Sequence, residues 1–211
     1  MRLLLLLAAA SLTAWSQPST SDTLRAVEKH YNSTKTLQAN FVVTLKDRGR
    51  PHLPERGVLY LSKGQPSRTR WDYTSPAGNF FLSDGKFVYD YDKAKNEVTR
   101  YPYKETDDLR IPLSFLLGQL DFNKDFERFT AAREGPDAVI TMTPRNKQLL
   151  FRDITITVTP EAAIRRVVVT DQPGTSAMEY VLDGEQRNAK VAEALFQFTA
   201  PAGARVVDER Q

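Results

Sequence analysis

The stretch that decides the fold is Arg68-Thr-Arg-Trp-Asp-Tyr-Thr-Ser-Pro76, followed closely by Leu82-Ser-Asp-Gly-Lys-Phe-Val-Tyr89. Trp71 and Tyr73 alternate with Arg70 and Asp72. In a strand, this period of two puts the apolar groups on one face and the polar groups on the other. Asp84-Gly85 is a favoured hairpin connector, because both central residues of such a turn tolerate positive φ. The two patterns predict paired strands that curve around an apolar interior. No catalytic motif lies in them.

Similar patterns fill most of the chain. Ser21-Asp22 is suited to capping a helix, and Leu24, Val27 and Tyr31 then recur at helical spacing, which predicts an amphipathic helix over 22–35. Leu37, Ala39, Phe41, Val43 and Leu45 alternate as a strand. Strands are also predicted at 57–63, 68–74, 79–82, 86–91, 97–101, 126–132, 138–143, 150–159, 165–170, 176–182 and 194–199, joined by turns rich in Gly, Pro, Asp and Asn. The total is about eleven strands with short, mostly antiparallel connections, and a sheet of that size must curl or close. Polar residues between the apolar ones predict a solvated outer face and a single apolar inner one.

The alternation breaks at 104–125. Pro112 suits the start of a helix and Gly118 its exit. Leu113, Leu116, Leu117 and Leu120 make one stripe, and Ile111 and Phe115 a second. A short helix apolar nearly all round has to be covered on more than one side. It is either sunk in an ordinary core or a mobile lid with one face on the sheet and the other on a ligand.

The start of the chain reads as an export signal over 1–16: Arg2, an apolar run from Leu3 to Ala10, then a small-residue exit before Gln17. The run is shorter than the ~20 apolar residues a membrane span needs. The remainder, 17–211, is expected to be one domain in the periplasm. Cysteine is absent, so neither disulfides nor a lipid-bearing cysteine is available, and the exported chain is expected to be soluble and monomeric. Without Arg2 there are 28 basic and 26 acidic residues, a net of +2, scattered along the chain, which argues against a nucleic-acid partner.

Chemistry-bearing groups are sparse. His30 and His52 have no second ligand at metal spacing, and neither a nucleophile elbow nor a phosphate-binding glycine loop occurs. No enzyme activity, metal or cofactor is expected. Lys46, Arg48, Arg50 and Arg56 cluster around a Pro/Gly-punctuated loop, which is a solvated loop first and a partner-binding site second.

In order and spacing, several segments resemble the periplasmic outer-membrane lipoprotein carrier family, LolA. They are Leu37-Gln-Ala-Asn-Phe41, Gly57-Val-Leu-Tyr-Leu61, Arg70-Trp-Asp-Tyr73 with Pro76, Ser83-Asp-Gly-Lys86, the apolar 112–117 helix and Phe196-Gln-Phe-Thr-Ala-Pro-Ala-Gly203. The resemblance implies a mainly β fold: an unclosed, strongly curved antiparallel barrel with a helical lid over a hydrophobic cavity. It also implies a function, carrying the acyl chains of lipoproteins from an inner-membrane ABC releasing complex to the outer membrane, with the need for an acceptor there left open. Candidate lining residues are Trp71, Tyr73, Phe80, Leu82, Val88, Leu113, Leu116 and Leu117, with strand parity deciding between Phe80 and Leu82 on one side and Phe81 on the other. Gln65 stands where the family often has a lid-controlling arginine, and Lys63, Arg68 or Arg70 are possible substitutes. The alternative is a lipid- or lipoprotein-sensing regulatory module of the same fold, whose relatives carry a further C-terminal domain.

Overall fold

The computed structural model of the protein describes residues 18–64, 66–103 and 120–209. The signal read at 1–16, Gln65 and the 111–119 part of the apolar helix lie outside the described residues. The chain starts with α1 (Thr20–Asn32). Ser19 caps it by accepting a hydrogen bond from the Asp22 N–H, so the helix starts earlier than Ser21-Asp22 suggested. It ends at Asn32 because the Ser33 and Thr34 hydroxyls bond the carbonyls of Lys29 and His30, turning the chain into the sheet. Leu24, Val27 and Tyr31 form its buried stripe.

The twelve-residue strand β1 (Thr36–Asp47) is the spine of the sheet. Its pattern buries Leu37, Ala39, Phe41 and Val43 on one face. On one side it pairs with β3 (Glu55–Ser62), which leads through β4 (Arg68–Ser75), β5 (Ala77–Ser83) and β6 (Phe87–Asp92) to β7 (Glu97–Pro102). On the other side it pairs with β12 (Ser176–Arg187), and β11 (Ile164–Asp171), β10 (Phe151–Val158), β9 (Asp137–Pro144) and β8 (Phe126–Glu134) follow. A four-residue helix, α2 (Phe122–Asp125), precedes β8. Two short strands complete the set: β2 (Arg50–Pro51) beside β1, and β13 (Arg205–Asp208), parallel to β7. The described residues thus hold thirteen strands in one open, curled sheet, against the expected eleven or so. A two-residue β2 and a four-residue β13 with two adjacent valines give no readable alternation.

Curling comes from irregularities. Register shifts occur at Gln38/Asn40, Arg56/Gly57, Asp72/Thr74 and Glu127/Thr130. Each adds local twist and bends its strand. Gly57 shows why that position carries no side chain: a Cβ would stand 2.8 Å from the Phe41 ring and closer still to the Asp72 carbonyl. The β5–β6 turn departs from the expected form. Only Gly85 has positive φ, and Asp84 instead accepts backbone hydrogen bonds from Lys86 and Phe87 through its carboxylate.

Two further expectations fail for one reason. The segment 194–199 is not a strand: Glu193–Phe196 is a 3-10 turn, and Phe198 then stacks on Tyr89 with ring centroids 4.0 Å apart. The outer face of β5–β7 is therefore not solvated. Leu82, Tyr89, Tyr91 and Val98 are buried there as a second cluster, joined by Phe80, Phe87, Phe198 and Ala204. The chain after β12 crosses the back of that half-sheet and covers it. The Arg68–Glu193 ion pair and a hydrogen bond from the Arg70 guanidinium to the Leu195 carbonyl hold it there.

Candidate functional site

The inner face of β4 is the centre of the site. Thr69, Trp71 and Tyr73 are buried there in strict alternation with Arg68, Arg70 and Asp72. Trp71 has no exposed surface. Its ring meets Phe41 edge-on at 4.8 Å and Tyr180 at 5.7 Å, and Phe41 also meets Tyr73 at 5.2 Å. Register extends the wall sideways. Leu59 and Phe81 oppose Trp71 on the two neighbouring strands, and all three are fully buried. Val88 belongs to the same inner cluster.

Among the sequence-predicted site residues, then, Trp71, Tyr73 and Val88 share the inner face. Phe80 and Leu82 lie on the outer face in the cluster beneath the C-terminal segment, and Phe81 takes the inner position on β5. The physical reason is register: Trp71 pairs with Phe81, and a slip of one residue exchanges faces. Leu113, Leu116 and Leu117 lie outside the described residues, as does Gln65. Phe81 is thus the parity alternative that the sequence left open, whereas Tyr180 is not among the candidates read from sequence, although the alternation of β12 points to it.

Two polar atoms inside this apolar wall have no hydrogen-bond partner among the described residues: the Trp71 indole Nε1 and the Thr69 hydroxyl. Both belong to the inner face of β4. A buried donor without a partner typically costs about 1–3 kcal/mol.

Helix α1 closes one side of the interior and is bolted by polar contacts. The Tyr31 hydroxyl donates to Glu185 at 2.7 Å and accepts from the Ile164 N–H at 2.8 Å, joining the helix to both β12 and β11. Burial, then the charge of Glu185, pushes the Tyr31 hydroxyl far above its ordinary pKa, so it stays a neutral donor. His30 packs edge-on against Tyr31 and contacts Glu185 at 2.7 Å.

The same helix holds the chain where it emerges from 104–119. The Asn32 amide donates to the Leu120 carbonyl at 2.9 Å and its oxygen accepts the Leu120 N–H at 2.7 Å, a reciprocal pair. Glu28 accepts the Phe122 N–H at 2.8 Å. At the other end, the Tyr103 N–H donates to the Lys86 carbonyl at 3.0 Å. Lys63 donates to the Tyr31 carbonyl at 3.0 Å, and burial lowers its pKa. Of the three substitutes considered for a lid-controlling arginine, only Lys63 is on this side. Arg68 lies over Phe196 and Arg70 over Phe80, both turned toward the C-terminal segment because they occupy the outward parity of β4.

Comparison with known proteins agrees with this architecture. The chain is 27% identical over 210 residues to an outer-membrane lipoprotein carrier protein of Proteus mirabilis, covering all of both chains. It is 29% identical to one from Pectobacterium carotovorum, covering 90% of each. Among solved structures, an uncharacterized conserved protein from Thermus thermophilus matches with TM-score 0.52 at 18% identity, over 91% of this chain and 100% of that one. MucB matches with TM-score 0.50 at 15% identity, over 89% of this chain and 64% of that one. At these identities the structural likenesses speak for the fold alone. The curled sheet, the aromatic inner wall and a match of residues 32–199 to the model of the outer membrane lipoprotein carrier protein LolA lead to one conclusion: the chain belongs to the LolA family.

Proposed function

We propose that the protein is a periplasmic carrier that takes up the acyl chains of lipoproteins between its curled sheet and the apolar 111–120 segment, and ferries them from the inner to the outer membrane. The observation that carries this reading is the continuous aromatic and aliphatic inner face around Trp71, in a chain whose relatives are named outer-membrane lipoprotein carrier proteins. Segment 1–16 serves as the export signal. The carrier receives cargo from an inner-membrane ABC releasing complex and delivers it to the outer membrane, with or without an acceptor there.

Carriage needs no chemistry. Each buried acyl methylene is worth about 0.8 kcal/mol, so an apolar pocket holds long chains by area alone, and opening releases them. Trp71, Tyr73, Phe81 and Val88 form one wall, and Leu113, Leu116 and Leu117 supply the other. The partnerless Trp71 N–H and Thr69 hydroxyl are suited to an ester or amide carbonyl at the head of the acyl chains. Gln65, where the family often has an arginine, takes part in lid control through its neutral amide, without a charge-assisted contact.

Trp71 and Trp15 are the only tryptophans, so in the exported chain Trp71 reports alone. Titration with a triacylated lipopeptide is expected to shift its emission, and protein purified from periplasm is expected to carry lipoprotein detectable by mass spectrometry. Unchanged emission despite demonstrated binding removes Trp71 from the site. Protein that never co-purifies with lipid or lipoprotein overturns the carrier reading.

A further inference from the structure

Among the large apolar side chains of the described residues, the most exposed lies outside the inner wall. Leu53 is 91% exposed, in the loop between β1 and β3, where residues 47–56 form an unbroken exposed run. This loop is built rather than slack. Asp47 pairs with Arg50 across a two-residue turn whose central residues, Arg48 and Gly49, both have positive φ. The Arg48 N–H donates to the Thr175 carbonyl at 2.7 Å, and the His52 N–H folds back to the Leu45 carbonyl at 2.8 Å. Pro51 and Pro54 bracket His52-Leu53 on the returning arm and restrict its backbone. Leu53 is thus held outward at little conformational cost.

Its neighbours share one chemistry. The β11–β12 turn that anchors Arg48 also receives the β9–β10 loop: the Gln172 N–H donates to the Leu150 carbonyl at 3.1 Å, and the Arg152 guanidinium lies against Gly174. Leu150, 47% exposed, therefore stands at the same end of the sheet as Leu53. Lys46, Lys147 and Arg152 there are paired with Glu179, Glu127 and Asp153, whereas no ion pair involves Arg48, Arg50 or Arg56 among the described residues.

An exposed leucine on the same loop as three arginines that form no ion pair among the described residues is the chemistry of an interface between anionic headgroups and acyl chains. A protein partner would call for a broader patch, about 800 Å² on each side and centred on aromatic anchors, and the ten-residue run 47–56 carries no Phe, Tyr or Trp and a single exposed aliphatic side chain outside its prolines. We propose that this end of the sheet is a peripheral membrane-contact site, with Leu53 inserting into the surface of an anionic bilayer while Arg48, Arg50 and Arg56 bind its phosphate groups. Such contact is by a surface loop between two strands, and no described helix is long and apolar enough to cross a membrane. The site says where the protein meets a bilayer, and it does not depend on how cargo is held.

The test is flotation of the exported chain with protein-free vesicles of phosphatidylglycerol and phosphatidylethanolamine. Wild type is expected to float with them, and to do so less at 1 M salt, where the screening length shrinks from about 10 Å at 0.1 M to about 3 Å. Leu53→Asp and the double variant Arg48→Glu/Arg50→Glu are each expected to weaken binding at least about tenfold, while Leu53→Ile keeps it. Thermal midpoints and the Trp71 response to lipopeptide should not move, which separates this site from cargo binding. The proposal is overturned if wild type does not float, if both disruptive variants float equally well, or if binding appears only with vesicles that contain membrane proteins.

Discussion

The two halves of the sheet treat their outer faces differently. Across β8–β12 the back is polar: the Thr141 and Thr155 hydroxyls pair at 2.8 Å, Thr143 donates to Asp153 at 2.8 Å, and Lys46 and Arg166 converge on Glu179. Across β5–β7 the back is greasy, with Leu82, Tyr89, Tyr91 and Val98 buried under the C-terminal segment. Strands facing water need one apolar face, while strands covered on both sides need two. The difference shows that the C-terminal segment is a structural layer of the N-terminal half. Its Arg205–Glu97 and Arg100–Asp208 ion pairs fasten the last strand to β7.

That contrast can be broken in graded steps. Trp71→Ala, in the layer both halves share, is expected to cost about 3–5 kcal/mol, because a fully buried indole with aromatic neighbours leaves a cavity the curled sheet cannot collapse. Chemical denaturation measures it. A loss below 1 kcal/mol would mean the interior is already open around Trp71. Phe198→Ala removes the stacking partner of Tyr89 and is expected to cost about 1–3 kcal/mol. Its effect should be lopsided. Limited proteolysis should cut first near Lys190–Arg205, and amide exchange should quicken in β5–β7 while β9–β11 stay protected. Uniform loosening would contradict the layer assignment.

Glu179→Gln probes the polar back through its pH dependence. Burial alone would raise the Glu179 carboxyl pKa, but hydrogen bonds from Lys46 and Arg166 outweigh it and hold the pKa below the ordinary glutamate value. A depressed carboxylate contributes stability above the unfolded-state pKa of about 4.3, and loses it as pH falls through the folded-state value. Wild type should therefore exceed the variant in thermal midpoint at pH 7, and the gap should close as the pH drops below about 4. A gap that grows with acid would reverse the sign. The smallest effect is expected from Thr155→Val. It trades one hydroxyl pair for a better strand former on the outer face and should stay within about 1 kcal/mol either way.

Legibility followed the range of the interactions. Alternation alone was enough to see Trp71 and Tyr73 on one face, because period two is a property of a single strand. The same logic read β1, and it found the amphipathic stripe Leu24, Val27 and Tyr31. It failed at β5, where Phe80, Phe81 and Leu82 are all apolar and every parity looks alike. It failed again at 194–199, where a strand-like pattern serves a segment laid across another strand's back.

By itself the sequence determined the family, the mainly β class, the spine strand and the inward row on β4, since each rests on local periodicity or on segments in fixed order. Tertiary structure decided which face Phe81 takes, that the back of β5–β7 is dry, and that Asn32 and Glu28 hold Leu120 and Phe122. Phe81 takes its face from register with Trp71 on the neighbouring strand, while the other outcomes depend on partners roughly ninety to a hundred and ten positions apart, as in Asn32–Leu120 and Tyr89–Phe198. No window of local pattern contains both members of those distant pairs, and at β5, where every parity is apolar, only pairing with the neighbouring strand fixes the face.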